Sequence, residues 1–256
     1  MTDYKLTNLP IQFAEDHIHV DESFLAITKS NTFLTKHLRK YYLSTSSVYQ
    51  KIVYKSYFIE EKFPGPLTRK NLKLKVTTLF PDVVGIEFAK TKTVYSKEHP
   101  RLMEILKGAG LLLLQKDTAS LLDDAVTYVF DISEGNKVVI PPNWHYTLVN
   151  TGKETLATVE LYEGSQSLHH CHCDQKGTGV YIIERNGVPE IVKNSQYKNL
   201  VKYATVDPEN YATRFKIVPT QSLAGQVDTV FDYCTTCSLD SWEQYLNDAN
   251  KGFFPF

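Results

Sequence analysis

Short apolar runs separated by turns follow one another through the middle of this chain. From Val48 onward, segments rich in Val, Ile, Tyr, Phe and Thr alternate with Pro-Gly, Pro-Asp, Lys-Gly, Glu-Gly-Asn and Thr-Gly-Lys turns. Regularly spaced short strands of this kind are typical of an antiparallel sandwich or barrel. The sequence therefore predicts an all-β domain with strands at 47–60, 72–80, 85–92, 102–106, 110–115, 125–131, 137–140, 145–150, 155–162, 179–184 and 189–193.

The two ends of the chain depart from this pattern. Residues 30–42 carry apolar side chains near helical spacing, which predicts a helix. Residues 206–210 predict a turn or the start of a helix, and 240–250 predict a terminal helix capped by Ser238 or Asp240. We therefore expect an N-terminal extension at 1–47, a central β domain at 48–197 and a C-terminal extension at 198–256.

The charge of the chain is almost balanced, with 28 basic and 29 acidic residues and no basic run. This balance makes nucleic acid and membrane surfaces poor candidate partners. No stretch approaches the roughly 20 apolar residues that span a bilayer, and Met1 is not followed by an apolar signal core. We expect a cytoplasmic protein whose four cysteines are not structural disulfides.

A family resemblance rests on several motifs in order. The segment from Gly135 through Pro141-Pro142 to His145 resembles the second cupin signature, in which Gly starts a hairpin and a short turn carries a His onto the next strand. Leu106-Lys-Gly-Ala-Gly-Leu-Leu-Leu-Leu-Gln resembles a strand pair of the archaeal-type, cupin class of glucose-6-phosphate isomerase. The segments 53–57, 77–81, 85–92, 157–162 and 180–194 follow the same order and spacing. The resemblance covers roughly residues 48–197.

Membership of that family implies a double-stranded β-helix barrel of the cupin (RmlC-like) type, paired into a homodimer, that interconverts glucose 6-phosphate and fructose 6-phosphate. The resemblance places Thr77 and Thr91 at the phosphate, with Lys92 nearby, and Tyr54 and Tyr162 at the sugar. Hydroxyl and ammonium donors suit a phosphate dianion. The alternatives are ordinary strand threonines and tyrosines that pack in the barrel.

The chain departs from the family at the divalent metal site. The family's two His positions, its Glu and its later His correspond here to Val94, Ser96, Arg101 and Tyr146. Those side chains cannot replace imidazole and carboxylate at a divalent ion, so we expect no metal in the usual cupin site. The alternative is a slipped strand register that brings His99, Glu104 and His145 together as a metal site.

Isomerisation through an enediol needs a base and an acid within hydrogen-bond reach of adjacent carbons and oxygens. Glu160 shares a strand face with Tyr162 and is the preferred base, and His145 is a second catalytic candidate. Glu87 and Glu104 are weaker candidates. The alternative for Glu160 is a solvated strand glutamate.

A second cluster lies outside these motifs. Cys171 and Cys173, with Cys234 and Cys237, could close a tetrahedral structural zinc site that uses every cysteine of the chain. A redox pair, a disulfide or no special role are the alternatives. His169 or His170 could reach the ligand at the mouth of the barrel, or could join the zinc site.

Three functions remain open. The retained tyrosines and threonines favour a sugar-phosphate isomerase that runs without the usual metal. The loss of every metal ligand favours a non-catalytic cupin that binds a sugar phosphate or a protein. A divergent cupin with a different reaction in the same barrel is the third, since fold alone does not fix chemistry.

Overall fold

The computed structural model describes residues 11–13, 17–43, 50–116, 124–165, 168–170 and 177–255. Nearly half of these residues form β-strands, numbered here along the chain, and the described helices lie near the two ends and in one short turn of the central part. The all-β prediction is confirmed. None of the described helices has the length and apolar character needed to cross a membrane.

One face of the domain is a six-stranded sheet. Its strands in spatial order are β12 (Lys137–Ile140), β9 (Arg101–Lys107), β14 (Leu156–Glu163), β5 (Leu72–Leu79), β4 (Ile52–Glu61) and β3 (Leu25–Leu34). Every pairing in this sheet is antiparallel. Alternate side chains of its strands therefore point toward the opposite sheet.

The other face is a seven-stranded sheet. Its strands in spatial order are β15 (His169–His170), β8 (Val94–Tyr95), β13 (Trp144–Val149), β10 (Ala109–Lys116), β11 (Ala125–Ser133), β18 (Val201–Val206) and β19 (Asn250–Pro255). The pairing of β11 with β18 is parallel. Within the described part of the chain the two large sheets share no backbone ladder, so they do not close into the predicted barrel. They face each other across a shared apolar core, as in a cupin β-sandwich.

Two small sheets complete the strands. The pair β1 (Ile11–Phe13) and β2 (Ile18–Val20) lies near the start of the chain. A four-stranded sheet contains β17 (Val188–Lys193), β16 (Val180–Arg185), β7 (Glu87–Phe88) and β6 (Val83–Val84). Asn186 and Gly187 both have positive φ, as a two-residue type I′ hairpin requires, and they join β16 to β17. The single strand predicted at 85–92 is wrong, because only the two-residue strand β7 forms within that range.

The N-terminal helix prediction is wrong for residues 30–34, which belong to β3. A short helix α1 (Thr35–Leu38) and a 3₁₀ turn (Arg39–Tyr41) follow. Residues 30–34 form a strand despite the helical spacing of their apolar side chains, because β3 pairs with β4. In the resulting arrangement Leu25 and Leu38 are both fully buried. A four-residue helix, α2 (Pro66–Arg69), connects β4 to β5.

The C-terminal segment adds helices to the sandwich. They are α3 (Pro208–Thr213), a 3₁₀ turn (Ala224–Gln226), α4 (Val227–Thr235) and α5 (Leu239–Ala249). The terminal helix is confirmed, and the Ser238 side chain caps it by accepting from the Ser241 N–H. The Tyr211 hydroxyl donates to the Val139 carbonyl at 3.0 Å, and its ring packs edge-on against Phe130. These contacts place the helices against β11 and β12.

Candidate ligand-binding site

A cavity of about 330 Å³ lies between the two large sheets. Strands β3, β4, β5 and β14 form one wall, and β8, β13 and the segment before β8 form the other. The described lining residues are Lys29, Asn31, Phe33, Tyr54, Ser56, Phe58, Lys75, Thr77, Thr91, Lys92, Val94, Tyr146, Leu148, Glu160 and Leu168. The size suits a small polar ligand, and the hydroxyl and ammonium groups suit an anionic one.

Glu160 is the centre of a buried network at one end of the cavity. The Lys75 ammonium donates to Glu160 Oε1 at 2.7 Å, and Arg101 Nη1 donates to Glu160 Oε2 at 2.9 Å. The Tyr146 hydroxyl donates to the same Oε2 at 2.6 Å from the opposite sheet. Glu160 is therefore fully buried and is not a solvated strand glutamate.

Burial by itself raises the pKa of the Glu160 carboxyl, but the charges of Lys75 and Arg101 and the hydrogen bonds from Lys75 and Tyr146 lower it overall. The carboxylate is thus ionised at neutral pH. Burial lowers the pKa of Lys75, against the opposing effect of Glu160, and raises the pKa of Tyr146, which Glu160 raises further. Tyr146 is consequently a neutral hydrogen-bond donor to the carboxylate.

The other end of the cavity carries most of the predicted substrate-binding residues. The Thr77 hydroxyl lies 3.5 Å from that of Ser56. The Thr91 hydroxyl accepts from the Leu148 N–H at 3.0 Å, and its own hydrogen remains able to donate. The Lys92 ammonium lies 5.1 Å from the centroid of the Phe33 ring.

Tyr54 also lines this end, where its ring stacks on Phe33 with centroids 4.2 Å apart. Four of the residues predicted to bind substrate, Tyr54, Thr77, Thr91 and Lys92, are thus brought to one cavity. Burial raises the pKa of the Tyr54 hydroxyl, so it is neutral and able to donate a hydrogen bond. Whether these residues bind substrate stays a prediction.

Three other predicted site residues are not among the described lining residues of the cavity. Tyr162 is not among the described lining residues, and its ring packs against the Arg101 guanidinium at 4.4 Å. His145 lies on the opposite strand face from Tyr146, buried beside Tyr95 with ring centroids 4.7 Å apart. His170 belongs to β15, where its backbone pairs with Val94, and its side chain lies outside the described part of the structure.

The usual cupin metal does not fit the four positions that correspond to its ligands. Val94 and Tyr146 line the cavity, and the Ser96 hydroxyl donates to the backbone carbonyl of His99. Arg101 places a buried guanidinium at the remaining position, and Lys75 adds a second positive charge. Two fixed cations around one carboxylate repel a divalent ion and offer it no suitable ligand set.

The alternative metal site at His99, Glu104 and His145 is not assembled. Glu104 instead accepts from the Leu223 N–H at 2.8 Å and pairs with Lys137 at 3.4 Å. The described residues contain no group of three or more His, Cys, Asp and Glu that could hold a metal ion.

Two of the four cysteines are described. Cys234 is buried and Cys237 is half-buried, and both are free thiols. Burial raises the pKa of both, so neither is the exposed, low-pKa thiol typical of a redox centre. Cys171 and Cys173 lie outside the described residues, so the four-cysteine zinc site stays a prediction. Elemental analysis of the purified protein for stoichiometric zinc tests it.

The sequence analysis missed several residues of the cavity. Lys75 precedes Thr77 by two positions, and strand alternation could have placed both on one face. Three more missed residues are Lys29, Asn31 and Phe33. The sequence predicts that they lie in an N-terminal extension with a helix that begins at residue 30. Their strand character depends on pairing with β4.

The fold and the cavity define the chain as a cupin with a polar ligand site and without the usual metal ligands. Residues 43–199, more than half of the chain, match the family Glucose-6-phosphate isomerase (GPI). The chain belongs to this family.

Archaeal relatives agree with this assignment. The glucose-6-phosphate isomerase of Pyrococcus abyssi is 29% identical over 150 residues, which cover 58% of this chain and 74% of the relative. That of Pyrococcus furiosus is 29% identical over 149 residues, which cover 57% of this chain and 74% of the relative.

Among solved structures, coconut allergen cocosin aligns with a TM-score of 0.38 and 15% identity, over 57% of this chain and 35% of the cocosin chain. This chain thus spans about a third of that larger structure.

Proposed function

We propose that this chain binds a sugar phosphate of the glucose 6-phosphate and fructose 6-phosphate class in the cavity between its sheets, without a divalent metal. One observation carries the proposal: a single cavity has hydroxyl and ammonium donors at one end and the Glu160 network at the other. A sugar phosphate has the matching asymmetry, with a dianion at one end and hydroxyl and carbonyl groups at the other.

The phosphate would lie at Thr77, Thr91 and Lys92, because hydroxyl and ammonium donors form charge-assisted hydrogen bonds to phosphate oxygens. The carbonyl end of the sugar would then face Lys75 and Glu160, which lie on neighbouring strands. Tyr54, which lines the phosphate end, would contact the sugar with its ring and hydroxyl.

Isomerisation is the second candidate function, and the presence of Glu160 and Lys75 on the cavity wall favours it. Aldose-to-ketose conversion moves a proton from C2 to C1 and another from O2 to O1. Glu160 would carry the carbon proton, and the Lys75 ammonium would stabilise the negative charge that develops on the oxygens. The lowered pKa of Glu160 makes it a weak base, so we expect a low rate.

Thermal unfolding with added ligands tests binding. We expect glucose 6-phosphate and fructose 6-phosphate to raise the melting temperature, and glucose and fructose to have little effect. The increase should be the same after metal stripping with EDTA and after addition of manganese or nickel. Absence of any shift with either sugar phosphate would disprove the proposed function.

Variants assign the response to the cavity. Thr77→Val and Thr91→Val should reduce the shift, because each removes a hydroxyl from the lining while preserving shape. Thr32→Val is the matched control, since Thr32 is exposed on β3 and is not among the lining residues. An equal shift in all three variants would show that the ligand binds elsewhere.

A coupled assay for conversion of fructose 6-phosphate to glucose 6-phosphate separates the two candidate functions. Turnover by metal-free protein that Glu160→Gln abolishes would establish isomerisation. Ligand-induced stabilisation without turnover, under every metal condition, would leave binding as the function. The predicted homodimer and cytoplasmic location stay predictions, the first of which light scattering in solution can test.

A further inference from the structure

One wall of the cavity comes from outside the segment that matches the family. The match begins at residue 43, whereas β3 spans Leu25–Leu34. Lys29, Asn31 and Phe33 alternate along β3 and all line the cavity. The N-terminal strand therefore adds chemistry to the site that the matched segment alone does not supply.

The register of the six-stranded sheet fixes where each of these side chains stands. Lys29 pairs with Phe58, which pairs with Lys75, which pairs with Glu160. Lys29 thus lies in the same cross-strand row as the Glu160 network, two strands from Lys75, or about 10 Å.

Another lysine, from the opposite wall of the cavity, stands near the C-terminal end of β3. Lys92 lies over Phe33, four residues along the strand from Lys29, which corresponds to about 13 Å. The phosphate site at Thr77, Thr91 and Lys92 is therefore at a distance from Lys29. Because a phosphate group at that site does not reach Lys29, Lys29 can bind a different part of the ligand.

The charge of the cavity exceeds what one phosphate neutralises. The described lining contains three lysines and one carboxylate, Glu160, which gives two net positive charges. Arg101 adds a third where it donates to Glu160. A phosphate monoester carries about −1.5 to −2 at neutral pH. A second anionic group on the ligand would balance the remaining positive charge of the cavity.

A second buried ion pair holds the end of residues 35–43, the segment that follows β3. The Lys90 ammonium lies 2.6 Å from Glu87 Oε1, and both side chains are buried. Glu87 Oε2 accepts from the Leu43 N–H, and the Lys90 N–H donates to the Tyr42 hydroxyl at 3.1 Å. These contacts fix the segment that follows β3, and the strand itself is held by its antiparallel pairing with β4.

We propose that Lys29 forms a second anion subsite in the cavity, with Asn31 as a neutral donor beside it, and that the ligand is a sugar bisphosphate. The inference rests on the proposed sugar-phosphate binding. The Lys29 ammonium stands 5.7 Å from the centroid of the Phe58 ring, at the edge of the cavity. There it pairs with a second phosphate while the first occupies the site at Lys92.

Isothermal titration of the full chain with fructose 1,6-bisphosphate and with fructose 6-phosphate tests the inference. The wild type should bind the bisphosphate about tenfold or more tightly, the effect of one charge-assisted hydrogen bond. Lys29→Met should abolish this preference and leave the affinity for fructose 6-phosphate within about twofold, while Lys29→Arg should retain the preference. Lys36→Met, at an exposed lysine on α1 that does not line the cavity, is the control and should behave as the wild type.

The outcomes separate the inference from the function on which it rests. Equal affinity of the wild type for both sugars overturns the second subsite and leaves the proposed function intact. A bisphosphate preference that survives Lys29→Met also overturns it. Failure of the wild type to bind either sugar overturns the proposed function itself. Because Lys29 is exposed, its variants should fold, which circular dichroism verifies.

Discussion

Arg101 and Glu160 form a fully buried ion pair, with Arg101 Nη1 2.9 Å from Glu160 Oε2 and neither side chain more than 1% exposed. In the family that this chain resembles, the position of Arg101 carries a metal-binding glutamate. The charge at this position is therefore reversed, and a carboxylate on the neighbouring strand balances it. The guanidinium also packs on the ring of Tyr162, and the predicted sugar contact of Tyr162 stays a prediction.

Glu160→Gln should destabilise the protein by about 3–5 kcal/mol, because it leaves two buried cations without their counter-charge. Urea denaturation at neutral pH measures the change in the free energy of unfolding. Glu154→Gln is the control, since Glu154 is exposed, and should change it by less than about 0.5 kcal/mol. A similar small change for Glu160→Gln would mean that the network does not stabilise the fold.

The stabilisation by Glu160 should disappear in acid. Its folded-state pKa lies below the ordinary value of 4.5, so the unfolded chain takes up this proton first as the pH falls. The contribution is fully present above the ordinary pKa and is lost as the pH falls through the folded-state pKa. The difference in unfolding free energy between the wild type and Glu160→Gln, followed from neutral to acidic pH, should shrink. A difference that grew toward low pH would contradict the assigned direction.

Tyr146→Phe should raise the pKa of Glu160, because it removes the 2.6 Å hydrogen bond that stabilises the carboxylate. The acid loss of stability should therefore begin at a higher pH than in the wild type. Tyr128→Phe is the matched control, since Tyr128 donates at 2.9 Å to Asn247, away from Glu160. Tyr128→Phe should lower the free energy of unfolding by about 1 kcal/mol without changing the pH at which the acid loss of stability begins. An unmoved transition in Tyr146→Phe would exclude this role of the hydroxyl.

Lys90→Met should loosen residues 35–43 and, through them, the adjoining β3, because it leaves the buried Glu87 carboxylate without its cation. Hydrogen exchange should accelerate in β3 and in residues 35–43 more than in β11. Lys51→Met, which removes an exposed ion pair with Asp82, should cost no more than about 1 kcal/mol. Uniform acceleration across both sheets would instead mean that the Glu87 pair supports the whole domain.

Strand alternation and turn chemistry predicted much of the central domain from local pattern. The predicted strand at 137–140 matches β12, and those at 72–80, 125–131 and 155–162 differ from β5, β11 and β14 by two residues at most at either end. Glu160 was chosen because it shares a face with Tyr162, and both contact Arg101 in the structure. Period-two alternation makes such choices possible without knowledge of the partner strands.

Residues 25–34 show where local pattern fails. Their apolar spacing is compatible with a helix that starts at residue 30, and only the pairing with β4 makes them a strand. The cavity role of Lys29 follows from that pairing, so it was not accessible from the sequence.

The sequence by itself determined the all-β class, the family and the loss of the usual metal ligands, because these depend on residue type and on spacing along one strand or turn. The tertiary structure alone decided what replaces the metal ligands. Lys75, Arg101 and Tyr146 come from three different strands and meet at Glu160 only when two sheets face each other. Contacts between distant segments depend on which strands become neighbours, and no local pattern encodes that order.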